Sequence, residues 1–225
     1  MAKETLTLLY FSVHGLGARI RLAAAVGALG DRFQDRRFAD RAEFNAMKLG
    51  DELPYGQVPL LLVPRAGGAP VVKLAQSSAI LRYVCAAGGL QPADALQAAA
   101  VDAALAAEAD AFAPLGCAKY RERHGFAALE GAALAAVERA LREEVLPRHL
   151  GHLERALPHA GGWVAGTERP SAADFAWGTS LRELRAGTHS TFLPADILAP
   201  FPRINAYLDR FLALPEVLAY YAAWP

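Results

Sequence analysis

The segment Tyr55-Gly56-Gln57-Val58-Pro59, running into Leu60-Leu61-Leu62-Val63, constrains this chain more than any other stretch. Gly56 and Pro59 punctuate a loop, and the apolar run behind them reads as a short strand. Arg65–Pro70 carries the glycines that a hairpin turn requires, which makes Val71–Leu74 the return strand. Ser77 or Ser78 then opens an apolar helix through Val84, in the manner of an N-cap. A Val58–Pro59 bond in the cis form would turn the Val58 amide and carbonyl outward, where an extended peptide can pair with the strand edge. The helix start adds unpaired N–H groups, the Ser77 hydroxyl and a positive dipole end, which suit a carboxylate. The two features together fit a small, acidic, peptide-like molecule.

The surrounding chain supplies the frame. Thr5–Phe11 is β-rich, the loop Ser12–Gly17 follows, and Ala18–Val26 shows apolar residues every three or four positions, with Gly30 closing the helix. Arg32–Phe38 is a second strand. This β-α-β opening, followed by the hairpin and its helix, suits an α/β thioredoxin-like N-terminal domain with helices on both faces of one sheet. Gly88-Gly89-Leu90-Gln91-Pro92 marks a boundary, giving domains at 1–87 and 94–225. Beyond it the chain is alanine-rich, with helices over Ala93–Tyr120 and Val137–Leu157. Small residues let helix backbones approach closely, so the second domain is all-α. Ser171 and Asp174, three residues apart before an apolar run, form a capping box whose role is folding. Phe201-Pro202 and Leu214-Pro215 open the last helices, and Trp224 lies near the C-terminus.

Composition excludes several classes. The 23 basic and 23 acidic residues cancel, so nothing electrostatic favours nucleic acid or a membrane surface. Cys85 and Cys117 are the only cysteines and make no C-x-x-C. That, with no signal core behind Met1-Ala2-Lys3-Glu4, points to the cytoplasm. No apolar stretch reaches the length of a membrane span.

The Val58-Pro59 strand start, followed by Gln76-Ser77 at a helix start, resembles the cytosolic glutathione transferases. Tyr10, Phe11, Gly15, Ile20 and Arg21 match in register the Y-F-x-x-x-G-R-x-x-x-I-R pattern of the tyrosine-type classes. Phe44 and Lys48 hold the spacing at which sigma-class members place a tryptophan and a carboxylate-binding lysine. The resemblance covers nearly the whole chain and implies conjugation of glutathione, a cosubstrate, to small hydrophobic electrophiles, with no metal. On this basis the Tyr10 hydroxyl holds the glutathione sulfur as thiolate. Phe44, Lys48, Gln57, Val58, Pro59, Gln76 and Ser77 hold the tripeptide. Phe11, His14, Leu16 and Trp224 border an electrophile pocket that the helical domain helps form. A C2 homodimer follows from the family, with Asp110 reaching the partner's site.

Plainer roles stand beside these. Tyr10 also reads as a half-buried aromatic, His14 as a solvent-exposed loop residue and Lys48 as a solvated charge. Glu108 and Asp110 read as the wet face of their helix, and Trp224 as packing between domains. Arg21 reads as a structural ion-pair partner. Leu16 stands where the family often carries an arginine, and His14 where it often carries another, which removes charge beside the sulfur. Two alternatives remain: a non-catalytic binder of crystallin or ligandin type, and an isomerase of the prostaglandin D synthase type.

Overall fold

A computed structural model describes residues 5–65, 67, 69–159 and 161–224, so the hairpin turn expected over Arg65–Pro70 falls partly outside it, at Ala66 and Gly68. The chain divides into two compact units, one running to Gln91 and including the tail from Pro215, the other Pro92–Leu214.

The first unit contains β1 (Leu6–Tyr10), α1 (Gly15–Val26), β2 (Phe33–Arg37), α2 (Arg41–Leu49), β3 (Leu60–Val63), β4 (Val72–Ala75) and α3 (Ser77–Ala87). The strands form one mixed sheet in the order β2-β1-β3-β4, with β1 parallel to β2 and antiparallel to β3, and β3 antiparallel to β4. Side chains alternate across a strand, yet β1 is buried almost throughout because both faces are covered. Leu9 joins Phe38, Leu53, Leu60 and Ala75 in a cluster capped by Phe44 and Met47 of α2. Leu8 and Leu61 lie on the other face, and α1 and α3 run side by side, so close that a Cβ at Gly27 would sit 2.9 Å from the Gly88 Cα. Leu8, Leu9, Leu60, Leu61, Ile20, Ile80 and Leu81 are fully buried, each stabilising the fold by roughly 1.5–3 kcal/mol.

Two element ends differ from expectation. Gly27, not Gly30, caps α1, while Gly30 starts a 3-10 turn at φ 50°. Gln76, not a serine, occupies the N-cap position of α3, at φ 72° and ψ 116°, and makes no side-chain capping bond. Strand β4 ends at Ala75 and the helix begins at Ser77, so a single residue must reverse the chain direction. A left-handed backbone at Gln76 does this and moves both serines inside the helix.

The second unit is all-helical: α4 (Ala95–Lys119), α5 (Gly131–Ala140), α6 (Leu146–Ala156), α7 (Ala172–Arg185) and α8 (Pro202–Leu212). The helix expected from Val137 begins six residues earlier and passes through a π-helical turn at Leu141–Val145 before α6. Pro147 has no N–H for the Glu143 carbonyl, and a wider turn accommodates that gap. The tail forms α9 (Pro215–Ala223), which packs on α1 and so belongs with the sheet rather than with the helical domain to which the sequence pattern assigns it.

Helix packing in the second unit depends on small residues and buried acids. A Cβ at Gly178 of α7 would lie 2.6 Å from the Phe211 ring of α8. Glu108, expected on a wet face, is buried and accepts from the Ser180 hydroxyl at 2.6 Å. The capping box forms, with Asp174 Oδ2 accepting from the Ser171 N–H and hydroxyl, each at 2.8 Å. Asp174 Oδ1 also accepts from the Val164 N–H at 2.9 Å and the Tyr207 hydroxyl at 3.2 Å. Burial pushes the Asp174 carboxyl above the usual range, against the pull of those donors. Asp174→Ala would strand all of them in a dry interior. We expect it to cost about 3 kcal/mol or more in denaturant unfolding, against about 1 kcal/mol for Ser171→Ala.

Candidate functional site

Strand register gathers the site. Leu9 pairs with Leu60, and Leu60 with Ala75, so the three strands are aligned across the sheet. The end of β1 at Tyr10, the residues before β3 at Val58–Pro59 and those after β4 at Gln76–Ser77 therefore fall at the same end of the sheet. Tyr10 is also the register partner of Arg37 on β2. Both α1 and α3 begin at this end, at Gly15 and Ser77, and each helix start carries about half a positive charge. The end of the sheet therefore presents a phenol, a strand entrance and two helix N-termini together. The Val58–Pro59 bond there is cis.

Tyr10 shares its face with Leu6 and Leu8 and leans over the first turn of α1. A Cβ at Gly17 would lie 2.5 Å from Tyr10 Cδ1, and one at Gly15 would lie 2.9 Å from the Tyr10 hydroxyl. The two glycines thus make the seat of the ring, and 9% of Tyr10 stays exposed. Phe11, one residue on, falls on the opposite face. Its ring lies 5.3 Å from Phe38 and 5.2 Å from Phe44, with the Arg41 guanidinium 5.4 Å away. Phe11 therefore supports α2, while its ring stays edge-on to Tyr10 with centroids 5.8 Å apart.

Arg21 is the brace of the Tyr10 loop, as the ion-pair reading anticipates. It is buried and donates from Nε to Asp35 at 3.0 Å, from Nη1 to the Val13 carbonyl at 2.8 Å and from Nη2 to the Phe11 carbonyl at 3.1 Å. A buried guanidinium needs such compensation, and here it fixes both ends of the turn that follows Tyr10.

On the other side of the sheet end, Lys48 is exposed on the last turn of α2, and its chain passes Gly56: a Cβ there would be 3.5 Å from Lys48 Cε. Lys48 is thereby brought to the loop carrying exposed Gln57, half-buried Val58 and buried Pro59. Gln76 is exposed and Ser77 half-buried.

Other expected residues lie elsewhere. Leu16 is exposed on the first turn of α1. His14 is not a solvated loop residue: its Nδ1 lies 3.2 Å from the Tyr220 hydroxyl, and its ring packs on Tyr221 and Trp224 at 5.3 and 4.6 Å. Trp224 packs within the first unit, its ring 4.0 Å from the Arg37 guanidinium and 5.1 Å from that of Arg21. Asp110 is exposed on α4 in the helical unit. Pro114 cannot donate to its carbonyl, four residues back. Sequence reasoning passed over Gly17, Arg37 and Tyr220. The Gly15-x-Gly17 spacing at a helix start was the available signal for the first, whereas the other two have none.

No group of three or more His, Cys, Asp or Glu side chains among the described residues is poised to hold a metal. No helix among them is long and apolar enough to cross a membrane.

Residues 126–223 match the family model for the glutathione S-transferase C-terminal domain. Glutathione S-transferase 1 of Ascaris suum is 29% identical over 221 residues, 97% of this chain and 96% of that protein. The crystal structure of the glutathione S-transferase from Ascaris lumbricoides is 29% identical and superposes with a TM-score of 0.76 over 98% of each chain. The structure of prostaglandin synthase D of Nilaparvata lugens, 24% identical, has the same fold, with a TM-score of 0.77 over 98% of each chain. A mixed sheet with helices followed by an all-helical domain is thus an architecture this chain shares with glutathione transferases over nearly its whole length.

Gly17→Ala tests the seat of Tyr10. The added methyl meets the Tyr10 ring at 2.5 Å and Arg21 Nη1 at 2.7 Å, so we expect a loss of about 1–3 kcal/mol in denaturant unfolding.

Proposed function

We propose that this chain is a sigma-like, tyrosine-type glutathione transferase that joins the glutathione thiolate to small hydrophobic electrophiles. The observation that carries this reading is the alignment of Tyr10, Val58–Pro59 and Gln76–Ser77 along one end of the sheet, where two helices begin. A free thiol titrates near roughly 8.5 and is mostly protonated at neutral pH. A phenol O–H directed at the sulfur, beside the positive start of α1, favours the thiolate. The thiol proton leaves to solvent. The sulfur lone pair then forms the new carbon–sulfur bond, and with an aryl halide the halide departs with its bonding pair.

The Val58 backbone suits the cysteinyl unit of an extended tripeptide, and the α3 start with Ser77 and Gln76 suits its γ-glutamyl carboxylate. Lys48, whose chain passes Gly56 next to Gln57, suits the glycyl carboxylate, with Phe44 four residues earlier on α2. Leu16 brings no charge to the sulfur, and Arg21 is already committed to Asp35 and two carbonyls. Thiolate stabilisation therefore rests on Tyr10 and the helix start. We further place the protein in the cytoplasm as a C2 homodimer, with Asp110 facing the partner's site.

Low exposure of Tyr10, 9%, favours one rival, a glutathione binder without turnover. It would be retained on immobilised glutathione yet leave a generic aryl halide unreacted. The primary test is a thiolate absorbance titration of the glutathione complex. Tyr10→Phe should raise the apparent thiol pKa by about one unit or more, the loss of one charge-assisted hydrogen bond. An unchanged value removes Tyr10 from its role. Lys48→Ala should raise the KM for glutathione about tenfold, as for a hydrogen bond to a charged group, with kcat little changed. Steady-state kinetics over a range of glutathione concentrations measure both.

A further inference from the structure

We propose that Trp224 is a positioning residue for Tyr10, acting through Arg21 rather than as a wall of the electrophile pocket. The inference rests on the transferase reading above. It starts from a crowded set of charges at the end of the sheet. One carboxylate, Asp35, holds two guanidinium groups: Arg21 Nε reaches Oδ1 at 3.0 Å, and Arg37 Nε reaches Oδ2 at 2.8 Å. A single negative charge shared between two cations leaves net positive charge. The Trp224 ring supplies the balancing quadrupole, with the Arg37 guanidinium 4.0 Å and the Arg21 guanidinium 5.1 Å from its centroid.

Arg21 in turn governs the phenol. Its two terminal nitrogens hold the carbonyls of Phe11 and Val13, the residues that follow Tyr10, and its Cζ lies 5.7 Å from the Tyr10 ring centroid. The guanidinium is thus within stacking reach of Tyr10 and of Trp224. The tail also holds the other end of the same loop. His14 precedes Gly15, the residue beneath the Tyr10 hydroxyl, and it is gripped by Trp224 at 4.6 Å and by the Tyr220 hydroxyl at 3.2 Å. Removing the indole takes one contact from Arg21 and one from His14, and so loosens the backbone that aims the phenol without breaking the bonds to Asp35, the two carbonyls or Tyr220. The tripeptide contacts assigned to Lys48, Val58 and Ser77 lie on other elements and are untouched.

The test uses the full chain, glutathione and 1-chloro-2,4-dinitrobenzene. Trp224→Leu keeps an apolar side chain but removes the quadrupole, whereas Trp224→Phe keeps an aromatic face. We expect Leu to raise the apparent pKa of the bound thiol by about half a unit, the value of one cation–π contact, and Phe to restore most of it. At neutral pH kcat should fall about threefold in the Leu variant, with the KM for glutathione unchanged. A parental thiol pKa in the Leu variant overturns the proposal. So does a changed KM for the aryl halide with an unmoved thiol pKa, which is the signature of a pocket wall. Should circular dichroism show the Leu variant unfolded, Arg37→Gln decides. It removes the 4.0 Å stack from a side chain that is 40% exposed. A thiol pKa raised in the same direction supports the proposal, and a parental one overturns it. Tyr10→Phe run alongside separates the two levels: no shift there sinks the transferase reading itself, whereas a shift there without one in the Trp224 variants sinks only this inference.

Discussion

Antiparallel pairing of β3 between β1 and β4 is the constraint on which the rest of the first unit depends. Each strand is only four or five residues long, so its register is set by a handful of hydrogen bonds and by which side chains can be buried. A slip of one residue would turn Leu60 and Leu61 to the wrong faces and lose both halves of the core at once. The register that satisfies burial also brings the end of β1, the start of β3 and the turn into α3 to one end of the sheet. The site is in this sense a by-product of core packing. Its parts are far apart in the chain and adjacent only because three apolar strands admit one alignment.

The phenol at that end is held by what is missing as much as by what is present. Gly15 and Gly17 leave the room that the Tyr10 ring and the Arg21 guanidinium occupy. Arg21 fills the space with a charge, and a buried charge is tolerable only when its donors are met. Asp35 and two backbone carbonyls meet them, and the same bonds that make the arginine affordable lock the loop behind Tyr10. Stability and site geometry therefore share one side chain. The tail joins this arrangement from the far end of the chain, through His14, Tyr220 and Trp224.

The helical unit follows a parallel logic with a different purpose. Two acids are buried there, and each is matched to donors: Glu108 to the Ser180 hydroxyl, and Asp174 to the Ser171 cap, the Val164 amide and the Tyr207 hydroxyl. Glu154 does similar work at the start of α8, accepting the Arg203 and Ile204 N–H groups at 2.9 Å each. These bonds select one arrangement among the many that alanine-rich helices could adopt. Where Gly178 meets Phe211, the packing is specified by shape instead.

Local chemistry was legible in advance wherever it involves neighbours in the chain. The strand Leu60–Val63, the helix after Gln76, the capping box at Ser171 and Asp174, and the resemblance carried by Tyr10 and Val58-Pro59 all depend on residues within a few positions of one another. Backbone sterics and periodicity act at that range. The structure alone decided matters of distance and facing. It buried Glu108, because only packed helices show which side of an alanine-rich helix is wet. It packed Phe11 on Phe38 and Phe44, with only an edge-on contact to Tyr10, because the cluster under α2 offered the larger apolar surface. It returned the tail to the sheet, stacking Trp224 on Arg21 and Arg37 across some two hundred residues of chain. No spacing encodes such a contact. It exists because two guanidinium groups sharing one carboxylate leave a positive, partly apolar surface that an aromatic face covers better than water does.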